Sequence, residues 1–144
     1  MSIAPTIFLG ADHGGYELKI WIKEHMDHKY TIQDLGCYSN DRVDYPDSAA
    51  AVAKAVLSTP GSTGILICGT GIGISIKANR YPGIRAALVS SALTAEMAQA
   101  HNDANILCFG GRTTTKEEAL HYLEIWQKTT FVKQIRQERN HQLR

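Results

Sequence analysis

The segment Cys68-Gly-Thr-Gly-Ile-Gly73 puts a thiol, a hydroxyl and three glycines into six residues. It follows Ile65-Leu66-Ile67, an unbroken apolar run that suits a strand buried on both faces of a parallel sheet. Glycines at a strand end let the backbone turn sharply and come close to a ligand, because no Cβ intervenes. A helix starting near Ile72 would aim its free N–H groups and its dipole at that turn, which makes an anion site. The same donors lower the pKa of a thiol that ends the strand beside them. The segment therefore reads as a site for a small anionic molecule, with Cys68 placed to react.

Two familiar phosphate loops fit poorly. A dinucleotide fingerprint needs G-x-G-x-x-G in the first strand–helix unit and an acid after the next strand. Here the third glycine comes one place early, the loop follows the third apolar strand, and Val89-Ser90-Ser91 supplies no acid. A Walker A loop needs lysine before its Ser/Thr, and Gly73-Ile74-Ser75 has none. Without a ligand, the loop would be a tight glycine turn with a structural cysteine.

Other residues offer chemistry, each with a plain alternative. Asp12 and His13 follow the first strand, where an acid also serves as a helix cap. His101-Asn102-Asp103 closes the fourth helix, a place where histidine also suits the dipole. Tyr45-Pro46 could be only a turn. Cys37 and Cys108 read as inert, the latter inside an apolar strand. Lys133, Arg136, Arg139 and Arg144 form a basic tail whose default reading is a solvated face.

The elements that must position these residues alternate strand and helix. Residues 6–10 read as the first strand, with Asp12-His13-Gly14-Gly15 at its carboxyl end. A helix over 16–28 carries Leu18, Ile22 and Met26 on one stripe, with lysines opposite. Residues 30–35 form a second strand, and Asp47-Ser48 cap an alanine-rich helix to Leu57. Pro60-Gly61 turns into the central strand. Further strands follow at 85–89 and 106–109, with helices over 92–101 and 116–127 and a polar helical tail from 131. The spacing predicts one α/β domain over 1–144, a doubly wound, five-stranded parallel sheet with Rossmann-like helices on both faces. Strand-to-helix loops then share one edge, where ligands bind. Asp12-His13, Cys68-Gly69-Thr70 and Gly110-Gly111-Arg112 are expected there, with His101 on a loop neighbouring Cys68.

A chain of 144 residues with 44% hydrophobic and 20% charged residues buries a real core. Its formal charge of +1 argues against nucleic acid or membrane as partners. No apolar run approaches a membrane span of ~20 residues, and no signal peptide is visible. Three scattered cysteines suit reduced thiols in the cytoplasm. No Cys-x-x-Cys spacing suggests a metal.

In chain order, Asp12-His13-Gly14-Gly15, Asp44-Tyr45-Pro46, Ile67-Cys-Gly-Thr-Gly-Ile-Gly-Ile-Ser75, Asn79, Gly83-Ile-Arg85, His101-Asn102-Asp103-Ala-Asn105 and Gly110-Gly-Arg112 resemble the ribose-5-phosphate isomerase B family. The resemblance runs from about residue 6 to about residue 127. It implies aldose–ketose isomerisation of ribose 5-phosphate and ribulose 5-phosphate, a step of the pentose phosphate pathway, with no metal or organic cofactor. Cys68 would be the base, and Thr70 with the N–H groups of Gly69, Gly71, Ile72 and Gly73 would hold the enediolate oxygens. Asp12 and His101 would assist ring opening, while Asn102 and Tyr45 position the sugar. His13, Arg112 and Arg139 would bind phosphate. The resemblance also implies a homodimer or homotetramer, with His101 and part of the phosphate grip supplied by the neighbouring subunit.

The tail departs from the family pattern. Arg139 falls at the second phosphate arginine, but the first becomes Ile135, with Arg136 one place away and Lys133 near. The wider family includes galactose-6-phosphate isomerase subunits and enzymes acting on allose 6-phosphate; the loop cysteine favours the ribose branch. A non-catalytic sugar-phosphate sensor is a further alternative. So is a thiol redox protein, although no resolving cysteine lies near Cys68 in sequence.

Overall fold

Ile65, Leu66 and Ile67 are wholly buried, as an apolar strand covered by helices on both faces requires. In the computed structural model, which describes residues 5–26, 30–36, 45–131 and 143, they form the middle of a five-stranded parallel sheet. The order along the chain is β1 (Thr6–Ala11), α1 (Tyr16–Met26), β2 (Thr31–Asp34), α2 (Tyr45–Ser58), β3 (Thr63–Cys68), α3 (Ile72–Ala78), β4 (Ala86–Leu88), α4 (Ala92–Ala100), β5 (Ile106–Gly110) and α5 (Lys116–Lys128). A single 3-10 turn over His13–Gly15 joins β1 to α1. Across the sheet the strands run β2-β1-β3-β5-β4.

Alternation along each strand divides the core in two. Ile7, Leu9, Ile67, Leu107 and Phe109 pack with α1, α4 and α5 through residues such as Ile22, Ala98 and Leu123. Phe8, Leu66, Cys68, Ile106 and Cys108 pack with α2 and α3 through Val52, Ala53, Ile74 and Ala78. The chain leaves β1 toward β2 and then crosses back to β3, so a switch point lies between β1 and β3. With β5 on the other side of β3, three strand tips stand side by side. Register aligns them: Ala11 pairs with Ile67, and Cys68 pairs with Gly110.

Several details differ from expectation. β1 runs on to Ala11, and α2 starts at Tyr45, because Pro46 has no N–H to lose in a first turn. Ser48 therefore lies inside the helix, where its Oγ donates to the Ala11 carbonyl at 2.8 Å. Residues 27–28 of the first helix and the tail at 132–142 and 144 lie outside the described residues.

Lys19, expected on the solvent face with the other lysines, is instead wholly buried. Its Nζ donates to Asp34 Oδ1 at 2.8 Å and to the Gly36 carbonyl at 2.7 Å. The pair ties α1 to the carboxyl end of β2. Lys23 stands 3.8 Å from the same carboxylate with its side chain 44% exposed. Lys19→Met would leave a buried carboxylate without its main cation and is expected to cost about 3–5 kcal/mol. Lys23→Met should cost less than about 1 kcal/mol. Urea unfolding at fixed protein concentration checks both; equal effects would refute the distinction.

Candidate active site

Cys68 is the last residue of β3 and is 5% exposed. The Gly71 N–H donates to its Sγ at 3.1 Å. That bond depends on Gly71 holding φ +80°, a left-handed conformation that side chains rarely adopt. A Cβ there would also lie 2.6 Å from Leu88 Cδ1 and 2.9 Å from the Phe109 carbonyl carbon. Gly71 caps α3 without a side-chain cap. The Ile72 N–H donates to Thr70 Oγ1 at 3.3 Å. The N–H groups of Gly73 and Ile74 have no helix carbonyl to donate to, being in the first turn. The thiol thus sits beside the amino end of α3, whose backbone donors suit an anion.

The β1 and β5 loops close on this turn. The Asp12 N–H donates to the Ile67 carbonyl at 3.1 Å, the Gly111 N–H to the Cys68 carbonyl at 2.7 Å, and the Arg112 N–H to the Gly69 carbonyl at 2.9 Å. Such approach requires glycine: a methyl on Gly111 would strike the Gly14 carbonyl oxygen. Asp12 is buried and accepts the Gly14 N–H on Oδ1 at 2.8 Å, so the capping reading holds for one oxygen. The other oxygen accepts no hydrogen bond from the described residues. His13 is exposed in the 3-10 turn. The Arg112 side chain lies over Gly69, where an added Cβ would be 3.7 Å from Cδ, Nε and Cζ.

Tyr45 opens α2, and its ring covers the first turn of α3: an added Cβ on Gly73 would lie 2.8 Å from the ring Cζ. Ser48, one turn later, fastens this helix to the carbonyl just before Asp12. From the sequence Ser48 reads only as a cap; its hydroxyl, one helical turn after Tyr45, instead ties α2 to β1. The structure therefore gathers Asp12, His13, Tyr45, Cys68 to Gly73 and Arg112 at one edge.

It does not bring His101 or Asn102 there. α4 starts at the carboxyl edge of the sheet and descends, so His101, its C-cap, is at the amino edge of β5. The Gly64 N–H donates to the Asn105 carbonyl at 2.9 Å, which puts this loop at the Gly64 end of β3. From Gly64 to Cys68 the strand rises about 13 Å. The expectation of neighbouring loops is thus corrected: a helix between parallel strands must end opposite to where it began. Arg136 and Arg139 lie outside the described residues. Asn79 is occupied structurally, its amide paired with both the N–H and the carbonyl of Ala86 at 2.8 Å.

Cys108 shares the Cys68 face of the sheet. It pairs with Leu66, two places before Cys68, so the two Cα atoms are about 8 Å apart, too far for a disulfide. Burial, and secondarily Cys68, push the Cys108 thiol far up, which makes it inert near neutrality.

Comparison with known proteins shows the family and the fold. The ribose/galactose isomerase family matches residues 7–143. The chain belongs to that family. Ribose-5-phosphate isomerase B of Escherichia coli is 43% identical over 121 residues, 83% of this chain and 81% of the relative. Among solved family structures, ribose-5-phosphate isomerase B of Clostridium thermocellum superposes with a TM-score of 0.93 at 43% identity, over 96% of this chain and 94% of that one. The Mycoplasma genitalium protein with bound ribulose 5-phosphate gives 0.92 at 37% identity, over 99% and 95%.

Iodoacetamide at mildly alkaline pH should alkylate Cys68 and leave Cys108 untouched until the protein is unfolded. Peptide mass mapping checks this; native labelling of Cys108 ahead of Cys68 would contradict the assignment.

Proposed function

We propose that this chain is an aldose–ketose isomerase interconverting ribose 5-phosphate and ribulose 5-phosphate through an enediolate. The observation that carries the reading is the Cys68 thiol accepting the Gly71 N–H at 3.1 Å, at the edge where Asp12, Tyr45 and Arg112 converge. The names of the relatives support the ribose phosphate as substrate.

The furanose must first open. Asp12, with one carboxylate oxygen to spare, exchanges a proton with the anomeric hydroxyl, and His101 of a neighbouring copy serves the ring oxygen. The Cys68 thiolate then removes the C2 proton of the open aldose, giving an enediolate and a neutral thiol. Returning the proton to C1, with a hydroxyl proton moving from O2 to O1, yields the ketose. As charge leaves sulfur, the N–H groups of Gly71 and Gly73 with the Thr70 hydroxyl take up the enediolate oxygens. Each well-aimed donor is worth about 3–4 kcal/mol in such sites. His13, Arg112 and Arg139 hold the phosphate, with Arg136 or Lys133 covering for Ile135; forked arginine contacts suit a dianion.

A second copy of the chain completes the site, because His101 sits at the opposite edge of its own sheet. Ile72 and Ile76, exposed one turn apart on α3, and exposed Leu88 at the end of β4 form an apolar face beside the Cys68 loop for that copy. Among the described residues no helix is long and apolar enough to cross a membrane. A catalytic thiol works best in a reducing compartment, which supports the cytoplasm.

The test is direct conversion of ribose 5-phosphate to ribulose 5-phosphate. Cys68→Ala should lose about 10²–10⁴-fold in kcat, the usual worth of a positioned base, while binding the sugar phosphate within a few-fold of wild type. Binding without turnover by the wild-type protein would mean a sensor rather than an enzyme. Turnover retained in Cys68→Ala would remove the thiol from the mechanism.

A further inference from the structure

Arg85 belongs to a segment that the resemblance singles out and to which the mechanism above gives no task. It stands at the amino end of β4, on the same edge as His101 and across the sheet from Cys68. Its guanidinium grips Asp103, the residue that follows His101 and Asn102. Nε donates to the Asp103 carbonyl at 2.9 Å, and Nη2 lies 3.5 Å from Asp103 Oδ2. Nη1 reaches back to the Gly83 carbonyl at 3.3 Å.

The backbone closes the same clamp. The Arg85 N–H donates to Asn105 Oδ1 at 2.8 Å, Asn105 Nδ2 donates to the Gly83 carbonyl at 2.9 Å, and the Asn105 N–H returns to the Arg85 carbonyl at 3.1 Å. Between these anchors Asp103 holds φ +47°, the one positive φ of a non-glycine among the described residues. That conformation is costly and persists where surroundings enforce it. Here the enforcing groups are Arg85 on the Asp103 carbonyl and the Gln99 carbonyl accepting the Asp103 N–H at 3.2 Å. His101 and Asn102 stand immediately before the strained residue. Asn102 and Arg85 also line one cavity of about 320 Å³. Asn102 is exposed and His101 half-buried, so both can be presented outward.

We propose that Arg85 is the positioning residue that presents His101 and Asn102 to the neighbouring copy's Cys68 site. It touches no substrate and acts through the Asp103 backbone. This rests on the shared-site reading above. A guanidinium suits the task because it binds a carbonyl and a carboxylate on one residue at once, which an ammonium cannot do in a fixed plane. Misplacing a catalytic group by about 1 Å costs on the order of 10²-fold in rate. Arg85→Met is therefore expected to lower kcat by about 10–100-fold, with a smaller effect on thermal unfolding than on rate.

Mixing variants after verified subunit exchange separates this role from a general structural one. With Cys68→Ala as partner, Arg85→Met should regain activity, because one site of each hybrid joins an intact Cys68 to a His101 loop held by an intact Arg85. In a two-site dimer, random exchange makes about a quarter of all sites complete. With His101→Ala as partner, Arg85→Met should regain nothing, since both lesions fall on the contributed loop. Cys68→Ala mixed with His101→Ala is the control. If the control stays dead, the shared site itself fails. If the control revives, the inference is overturned by no regain with Cys68→Ala, by regain with His101→Ala, or by near wild-type activity of Arg85→Met alone. Should Arg85→Met not fold, Arg85→Lys, which keeps the charge and loses the fork, takes its place in the same mixtures.

Discussion

A parallel strand–helix–strand crossover sends every strand's carboxyl end to one edge of the sheet and every intervening helix's carboxyl end to the other. That constraint decides which residues of this chain can meet. Cys68, Asp12 and Arg112 follow strands and converge. His101 follows a helix and is held away from them by the length of β3. Residues on opposite edges of one sheet reach a common ligand only if two chains meet with those edges facing. If both sets do chemical work on one ligand, as proposed, the topology would require a site shared between two chains.

At the carboxyl edge, in the proposed reaction, the thiol and the developing enediolate would compete for the same donors. The Gly71 N–H that now points at sulfur would have to serve oxygen as the proton leaves C2. A base stabilised too well would be a poor base, so the one backbone bond that sulfur accepts among the described residues, at 3.1 Å, would suit the proposed role. Gly14 and Gly111 let the three loops approach closely, and the backbone bonds from Asp12 to Ile67, Gly111 to Cys68 and Arg112 to Gly69 tie them together. Preorganisation here is made by backbone contacts rather than by long side chains.

Much of this was legible from local signals. The apolar run Ile65-Leu66-Ile67, the glycines after it, and the alternation of strand and helix each carry their structure within a few residues. The class of fold and the cluster of strand tips followed from them. Features made by distant contacts were not legible. The position of β5 between β3 and β4 depends on pairing, which leaves no local mark. Lys19 looks like a surface residue on its helix until Asp34, fifteen residues on, is known to be its partner. The edge occupied by His101 was deducible from the predicted elements, because a helix that starts at one edge must end at the other. Ser48 was visible as a polar residue, but its bond to Ala11 belongs to the tertiary packing.

In the proposed enzyme, the Cys68 loop of one chain and the His101–Asn102 loop of another form one site. A short bifunctional thiol reagent probes that pairing, applied to Asn102→Cys in a background of Cys37→Ser and Cys108→Ala. The expected result is a covalent bridge from Cys68 to the introduced thiol that joins two chains, seen as a dimer mass under denaturing conditions and suppressed by ribose 5-phosphate. A bridge confined to a single chain, or none while the protein is shown to be oligomeric, would contradict it.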